Sequence, residues 1–459
     1  MSNIIEKDIV VIGAGLTGLT TSFYLQKNNA DFLTLEKSDK VGGVIQTENE
    51  NGYIFETGPN TGVVGQYEVV ELFENLGSLC EIETPGKLVS KRYILKSGKW
   101  EAMPMGLGSA ISTPLFTFAD KLRVLGEPFR SAGKNPDEDL ASMVKRRLGK
   151  SFLDYAIDPF IAGVYSGDPA VLITRYALPK LYRLEQDYGS FIGGSIKKSF
   201  KKKTPEEMKV TRKVFSVKGG LSKLSNAIYK SVGADKFILG AQNIKSEYVN
   251  GKFEINFTNS NNENITIKAN KLVTTSGAFS LDSILSFVDN DSIAKITKLK
   301  YANVVEVILG FKNWNGMKPD GFGGLVPSIE KRDLLGVLFM SSLFANRTPE
   351  NGTLFTIFLG GMRKPEMYNK SENEIKAIVE KEFMSLMKPS EFNPELFKIN
   401  YHKNAIPQYG IDSGERFDMV DKLENKYKGL IIGGNLKGGI GMADRIKQGK
   451  ELAERVCGF

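Results

Sequence analysis

Thiols and imidazoles are scarce in this chain of 459 residues, which has two cysteines, Cys80 and Cys457, and one histidine, His402. Two thiols this far apart in sequence make no disulfide framework, no CxxC redox pair and no zinc site. One imidazole excludes a metal centre with several histidine ligands, and any triad would rest on His402 alone. No metal site is therefore expected. Long apolar runs are missing too, since nothing approaches the roughly 18 residues a membrane-spanning helix needs. Glu6, Lys7 and Asp8 stand where the apolar part of a targeting segment would begin, so the expectation is a cytoplasmic protein. The chemistry is expected from a bound cofactor or from carboxylates.

What is present is ordinary soluble composition, 41% apolar and 25% charged, in a length that predicts two or three domains. A net charge of +8 suits anionic substrates, anionic lipid or nucleic acid. Part of that excess is concentrated. From Lys197 to Lys213 the chain reads KKSFKKKTPEEMKVTRK, with eight cations against two acids. Only Phe200 could stack on a base there, so nucleic acid is not expected. A solvated linker and an anionic membrane surface remain as readings.

The N-terminus carries the clearest signal. DIVVI (Asp8 to Ile12) predicts a buried parallel strand, and GAGLTG follows at once with Gly13, Gly15 and Gly18 in GxGxxG spacing. A helix follows, and then a second strand, DFLTLE, ends at Glu36. Gly13 permits the tight turn, Gly15 lets a pyrophosphate approach the backbone, and Gly18 lets helix and strand pack closely. The helix N-terminus, around Ala14, Leu16 and Thr17, presents N–H groups to phosphate. Glu36 is placed to accept hydrogen bonds from a ribose, and its charge would repel a 2′-phosphate.

The next residues separate two dinucleotides. KSDKVGGVIQT brings a glycine pair, Gly42 and Gly43, and GYIFETGPNTG follows. An NAD enzyme would usually enter a third βα unit at this point. This pattern instead resembles the flavoprotein family of amine oxidases, phytoene desaturases and protoporphyrinogen oxidases. Val44 stands where that family usually has arginine after its glycine pair, which counts mildly against an amine oxidase. The C-terminal GLIIGGNLKGGIGMADRIKQGKELAERV is a second strand–glycine–helix element. VFSVKGGLSKLSNAIYKSV, from Val214, resembles the family's middle strand–GGL–helix.

The resemblance implies a fold that is α/β and α+β. It has a Rossmann-like FAD domain, a mixed-sheet substrate domain and a helical insert, as in p-hydroxybenzoate hydroxylase and the amine oxidases. The expected boundaries are 1–85, 206–280 and 411–459 for the discontinuous FAD domain, 86–104 and 281–410 for the substrate domain, and 105–205 for the insert. FAD would be lined by the glycine turn and Glu36, by Gly42, Gly43 and Val44, and by Gly58, Pro59, Asn60 and Thr61. Ile244 would hold the adenine through its backbone, and Asn435, Ile440, Gly441 and Met442 would meet the flavin.

Further stretches resemble the porphyrinogen branch. SKRYILKSGKWEAMP (Ser90 to Pro104) places Arg92 where a propionate is bound, and IAGVYSGDP (Ile161 to Pro169) places Gly163 beside the flavin. DGFGGLVPSIEKRDLLGVLFMSS (from Asp320) places Phe322 and Leu325 against the macrocycle, and HKNAIPQYG (from His402) carries an IPQY element. The implied enzyme is an FAD-dependent, oxygen-linked oxidoreductase of haem synthesis, acting on CH–CH groups. Its substrate would be protoporphyrinogen IX or coproporphyrinogen III. In each of three rounds a hydride equivalent leaves a methylene bridge, protons leave the pyrroles, and dioxygen takes up the electrons. A large apolar ring with anionic propionates needs an apolar pocket with a few cations at its rim, preferably arginine. A homodimer is a further expectation, as is peripheral contact with the inner face of a membrane through the insert.

Overall fold

The structure is a computed structural model, and it describes residues 3–86 and 91–458. Ser90, which opens the stretch around Arg92, lies outside the described residues. The apolar β-branched start forms β1 (Asn3–Ile12), the glycine turn leads into α1 (Leu16–Lys27), and β2 (Phe32–Glu36) lies parallel to β1. Ile9–Ile12 of β1 and all of β2 are buried on both faces, as their near-continuous apolar sequence requires. The first seven-stranded sheet runs Phe237–Leu239, β2, β1, Asn264–Thr274, Lys252–Thr258, Gln242–Val249. Its seventh strand, Leu430–Ile432, pairs parallel with the end of Asn264–Thr274. The chain's beginning, middle and end therefore share one sheet.

Helices cover this sheet. The C-terminal helix Met442–Cys457 packs along α1. A Cβ at Gly449 would run into Thr20 and the Thr17 carbonyl, so the two helices approach at backbone distance. Residues from 281 to 299 also pack in the core beneath this sheet, through Leu281, Ile284, Ile293 and Ile296.

A second seven-stranded sheet runs Leu396–Pro407, Tyr301–Phe311, Thr353–Gly360, Leu334–Leu338, Gly323–Leu325, Arg92–Lys96, Lys99–Ala102. It is antiparallel except where Gly323–Leu325 lies parallel to Arg92–Lys96. One face packs on the helix Glu372–Met387 through Val307, Ile357, Val379 and Phe383.

The insert is helical, in short pieces. The stretch from Pro179 to Phe200 breaks at Gly189, which is left-handed at φ 70°, and Ser190 caps the next helix by accepting from Gly193 N–H. The run from Asp137 to Gly163 breaks at Gly149, at φ 99°. Leu140, Val144, Ile161, Tyr165 and Phe191 form a small core of their own. Beneath it Arg147 and Glu127 form an ion pair, both fully buried. Burial pushes the Glu127 carboxyl up, but donation from Ser190, the Phe191 and Ile192 amides and Arg147 outweighs this and holds it below the ordinary carboxylate value. No helix among the described residues is long and apolar enough to cross a membrane.

Replacing Arg147 by methionine leaves Glu127 buried without its cation. The expected cost is about 3–5 kcal/mol, read as a lower urea midpoint or a separate early transition for the insert. An unchanged unfolding curve would contradict this account of the pair.

Candidate cofactor and substrate site

The two strand–glycine–helix elements open on the same edge of the first sheet, because β1, Asn264–Thr274 and Leu430–Ile432 are mutually parallel. In doubly wound sheets ligands bind outside that edge. A Cβ at Gly18 would run into the Gly13 carbonyl, so glycine there lets α1 start tight against β1. Gly15 is the N-cap of α1 with no side-chain cap, and a Cβ on it would meet open space. The first-turn N–H groups, beside the buried Leu16 and Thr17, are left for an anion. Glu36 is buried. Its Oε2 accepts from Ala14 N–H at 2.6 Å and its Oε1 from Ser38 N–H at 3.0 Å, so the carboxylate braces the turn. Further lone pairs on the same oxygens can accept from a ribose.

The glycine pair completes this wall. Gly42 N–H donates to the Ala14 carbonyl at 2.8 Å, with Gly42 at φ 101°. A Cβ on Gly58 would strike the Val44 carbonyl, while the Val44 side chain is 66% exposed. The loop Gly58–Pro59–Asn60–Thr61 thus lies directly on the glycine-pair turn. Ile244 falls in a register shift between Gln242 and Lys245, so its backbone groups are out of the ladder and free for a ligand. The C-terminal turn is held from outside. The single Tyr409 O–H is shared between the Asn435 and Gly439 carbonyls, at 2.8 and 2.9 Å, and burial pushes the hydroxyl up to about 12. Ile440 and Gly441 follow, and Met442 starts the helix. Buried Arg445, one turn on, donates to the Gly434 and Lys437 carbonyls. Capless helix N-termini, free backbone groups and an open glycine face fit a dinucleotide with a flat polar ring.

The substrate candidates converge as well. Arg92 lies opposite Gly323 in the parallel pair, and its guanidinium stands 5.4 Å from the Phe322 ring centroid. Arg92 is exposed and makes no ion pair among the described residues, so it is available to a carboxylate. Leu325 is half-buried on the same strand pair, and a Cβ at Gly163 would run into its Cδ2. The Gly163 segment is fastened to the second sheet. Met362 N–H donates to the Ser166 carbonyl at 2.7 Å, Gln408 donates to the Tyr165 carbonyl at 2.9 Å, and Arg363 bridges Asp158 and Asp168. The IPQY element therefore acts at two places: Gln408 holds the insert and Tyr409 holds the C-terminal turn.

Sequence reasoning missed Glu306 and Glu56. Glu306 is fully buried and joins His402 and Asn60. Burial pushes its carboxyl above the ordinary range. Glu56 is also buried, and burial pushes it up to about 7 despite donors from Thr47, the Leu221 amide and Arg347. The signal for Glu306 was a lone acid in the apolar run VVEVILGF.

Comparison with known proteins gives the family and the fold. Residues 16–457 match the family described as flavin containing amine oxidoreductase. A mitochondrial protoporphyrinogen oxidase of Nicotiana tabacum is 30% identical, over 99% of this chain and 95% of the relative. A coproporphyrinogen III oxidase of Bacillus subtilis (strain 168) is 25% identical over 97% of both chains. A solved structure from Exiguobacterium sp. 255-15 shares the fold with TM-score 0.79, at 18% identity over 99% of both chains. With the match spanning almost its whole length, this chain belongs to the flavin-containing amine oxidoreductases.

Proposed function

We propose that this flavoprotein binds FAD and oxidises protoporphyrinogen IX to protoporphyrin IX in haem synthesis, a six-electron oxidation with dioxygen as acceptor. The observation that carries the reading is the cluster of Arg92, Phe322, Leu325 and Gly163. A free guanidinium at the rim of an apolar surface matches a macrocycle with propionates. Bound FAD would supply the two-electron acceptor. Its pyrophosphate would lie on the α1 N-terminus with Glu36 at the ribose, and Gly42, Gly43, Val44 and residues 58–61 would flank it. Ile244 would meet the adenine, and Asn435, Ile440, Gly441 and Met442 the ring. These roles suggest a division into an FAD domain (1–85, 206–280, 411–459), a substrate domain (86–104, 281–410) and an insert (105–205), with residues 281–299 of the substrate part packed beneath the first sheet. Arg92 binds and orients the ring, while Phe322 and Leu325 exclude water from its faces.

A second reading, oxidation of coproporphyrinogen III to coproporphyrin III, is favoured by the Bacillus subtilis relative. The two substrates differ by two propionates against two vinyls. Purified protein reconstituted with FAD is expected to turn a colourless porphyrinogen fluorescent under oxygen, and the ratio of kcat/KM values for the two substrates decides between them. Failure with both rejects the proposal. Arg92→Ala removes a charge-assisted contact of about 1.5–3 kcal/mol, so KM should rise roughly ten- to hundredfold with kcat little changed. An unchanged KM removes Arg92 from propionate binding.

The insert supports a membrane-peripheral position. Met105, Ile111, Phe118, Leu125 and Phe129 are between 68% and 91% exposed. The segment ending in Phe129 is tied through Glu127 to the helix that leads into the lysine cluster. Basic residues near exposed apolar ones favour anionic lipid. The protein is expected to sediment with phosphatidylglycerol vesicles and much less with Phe118→Ser/Phe129→Ser. Equal recovery of both proteins would contradict the docking face.

A further inference from the structure

We infer that Glu306, His402 and Asn60 form a buried proton-holding cluster that seats the Gly58–Thr61 loop and makes the flavin environment depend on one proton. The inference rests on the proposal that this loop lines FAD.

Glu306 lies at the middle of the strand Tyr301–Phe311 with no exposed surface. Its Oε2 is 2.9 Å from His402 Nε2, and its Oε1 accepts from Asn60 Nδ2 at 2.8 Å. Asn60 Nδ2 also donates to the Gly58 carbonyl at 3.0 Å, and Asn60 Oδ1 accepts from Thr356 Oγ1 at 3.1 Å. Asn60 and the Gly58 amide, which also donates to Glu306, thus tie the loop to the sheet, and Glu306 and Thr356 fix the orientation of Asn60. Directly opposite Glu306, and so on the same face, Asn400 has a buried Nδ2 with no partner. The face therefore carries one polar group in excess of what the protein itself satisfies.

No lysine or arginine among the described residues pairs with Glu306. On the adjoining strand Lys398 is taken by Glu48 and Glu50, and Lys403 is exposed. The strand Thr353–Gly360 and the loop 57–61 carry no charge. Glu56, at the end of the neighbouring hairpin, faces Arg347, as does Glu83, and Glu56 also feels the charge of Glu306, which disfavours its own ionisation. A buried carboxylate without a cation is costly. The cluster avoids that cost by keeping one proton on the hydrogen-bonded pair of Glu306 and His402. The His402 side chain is 22% exposed, which gives that proton a route to water. Its loss leaves a lone negative charge one hydrogen bond from the loop, and a nearby negative charge disfavours electron uptake by a ring beside it. The flavin's midpoint potential should therefore fall with rising pH more steeply where that proton leaves Glu306 than on either side of it.

The test uses the flavin-loaded full-length protein from pH 5 to 9. It follows the flavin's visible spectrum and midpoint potential together with the proton NMR signal of His402, the only histidine in the chain. The expected result is an inflection shared by the flavin and the histidine, separate from that of Glu56, whose carboxyl burial pushes up to about 7. It should vanish from the flavin signals in Glu306→Gln and in His402→Gln, and persist in Glu56→Gln. His402→Gln alters a partly exposed position, so the test survives if Glu306→Gln folds poorly. A flat wild-type profile, an inflection retained in both variants, or one lost only in Glu56→Gln would overturn the inference. A flavoprotein that oxidises porphyrinogen without the inflection rejects this inference alone; a protein that binds no flavin rejects both readings.

Discussion

The strand Asn264–Thr274 is the seam on which the molecule depends. Its first half takes Lys252–Thr258 antiparallel, and its last residues, Leu272 to Thr274, take Leu430–Ile432 parallel. Along its other edge it holds β1 from Asn3 to Ile12. One strand therefore fixes the chain's first and last strands in the same direction. Both glycine turns must then open on one edge, and the helices behind them pack on each other. Neither turn alone would define a binding site; together they leave a crevice lined by helix N-termini and backbone N–H groups.

The second sheet is joined to that crevice by a small number of buried polar contacts. Tyr409 reaches the C-terminal turn, Gln408 reaches the insert, and Glu306 reaches the Gly58–Thr61 loop through Asn60. Such contacts have defined lengths and angles, whereas apolar packing alone tolerates sliding. They hold the surface around Arg92, Phe322 and Leu325 in a fixed relation to the crevice. A reaction that moves a hydride equivalent from a methylene bridge to a flavin needs that constancy.

Much of this was readable from residue order. The N-terminal unit was legible because strand, glycines, helix and acid are local, and each has one physical job. The C-terminal turn was legible for the same reason. Arg92 and Phe322 could be named only through resemblance, since 230 positions separate them and a parallel strand pair brings them together. Glu306 and His402 were not joined, because an antiparallel register between distant strands makes that contact. Periodicity marks which residues face inward but not which inward residues meet. The insert's helix ends were not read from the sequence; Gly149 and Gly189 adopt positive φ and end their helices.

The central claim is that a flavin held in the crevice takes electrons directly from a porphyrinogen lying against the second sheet. Anaerobic rapid mixing tests it most directly. Protein loaded with FAD and mixed with one equivalent of protoporphyrinogen IX or coproporphyrinogen III should lose its absorbance near 450 nm in a single turnover and recover it on admission of oxygen. Flavin that stays oxidised with both porphyrinogens, while tightly bound, would contradict the account.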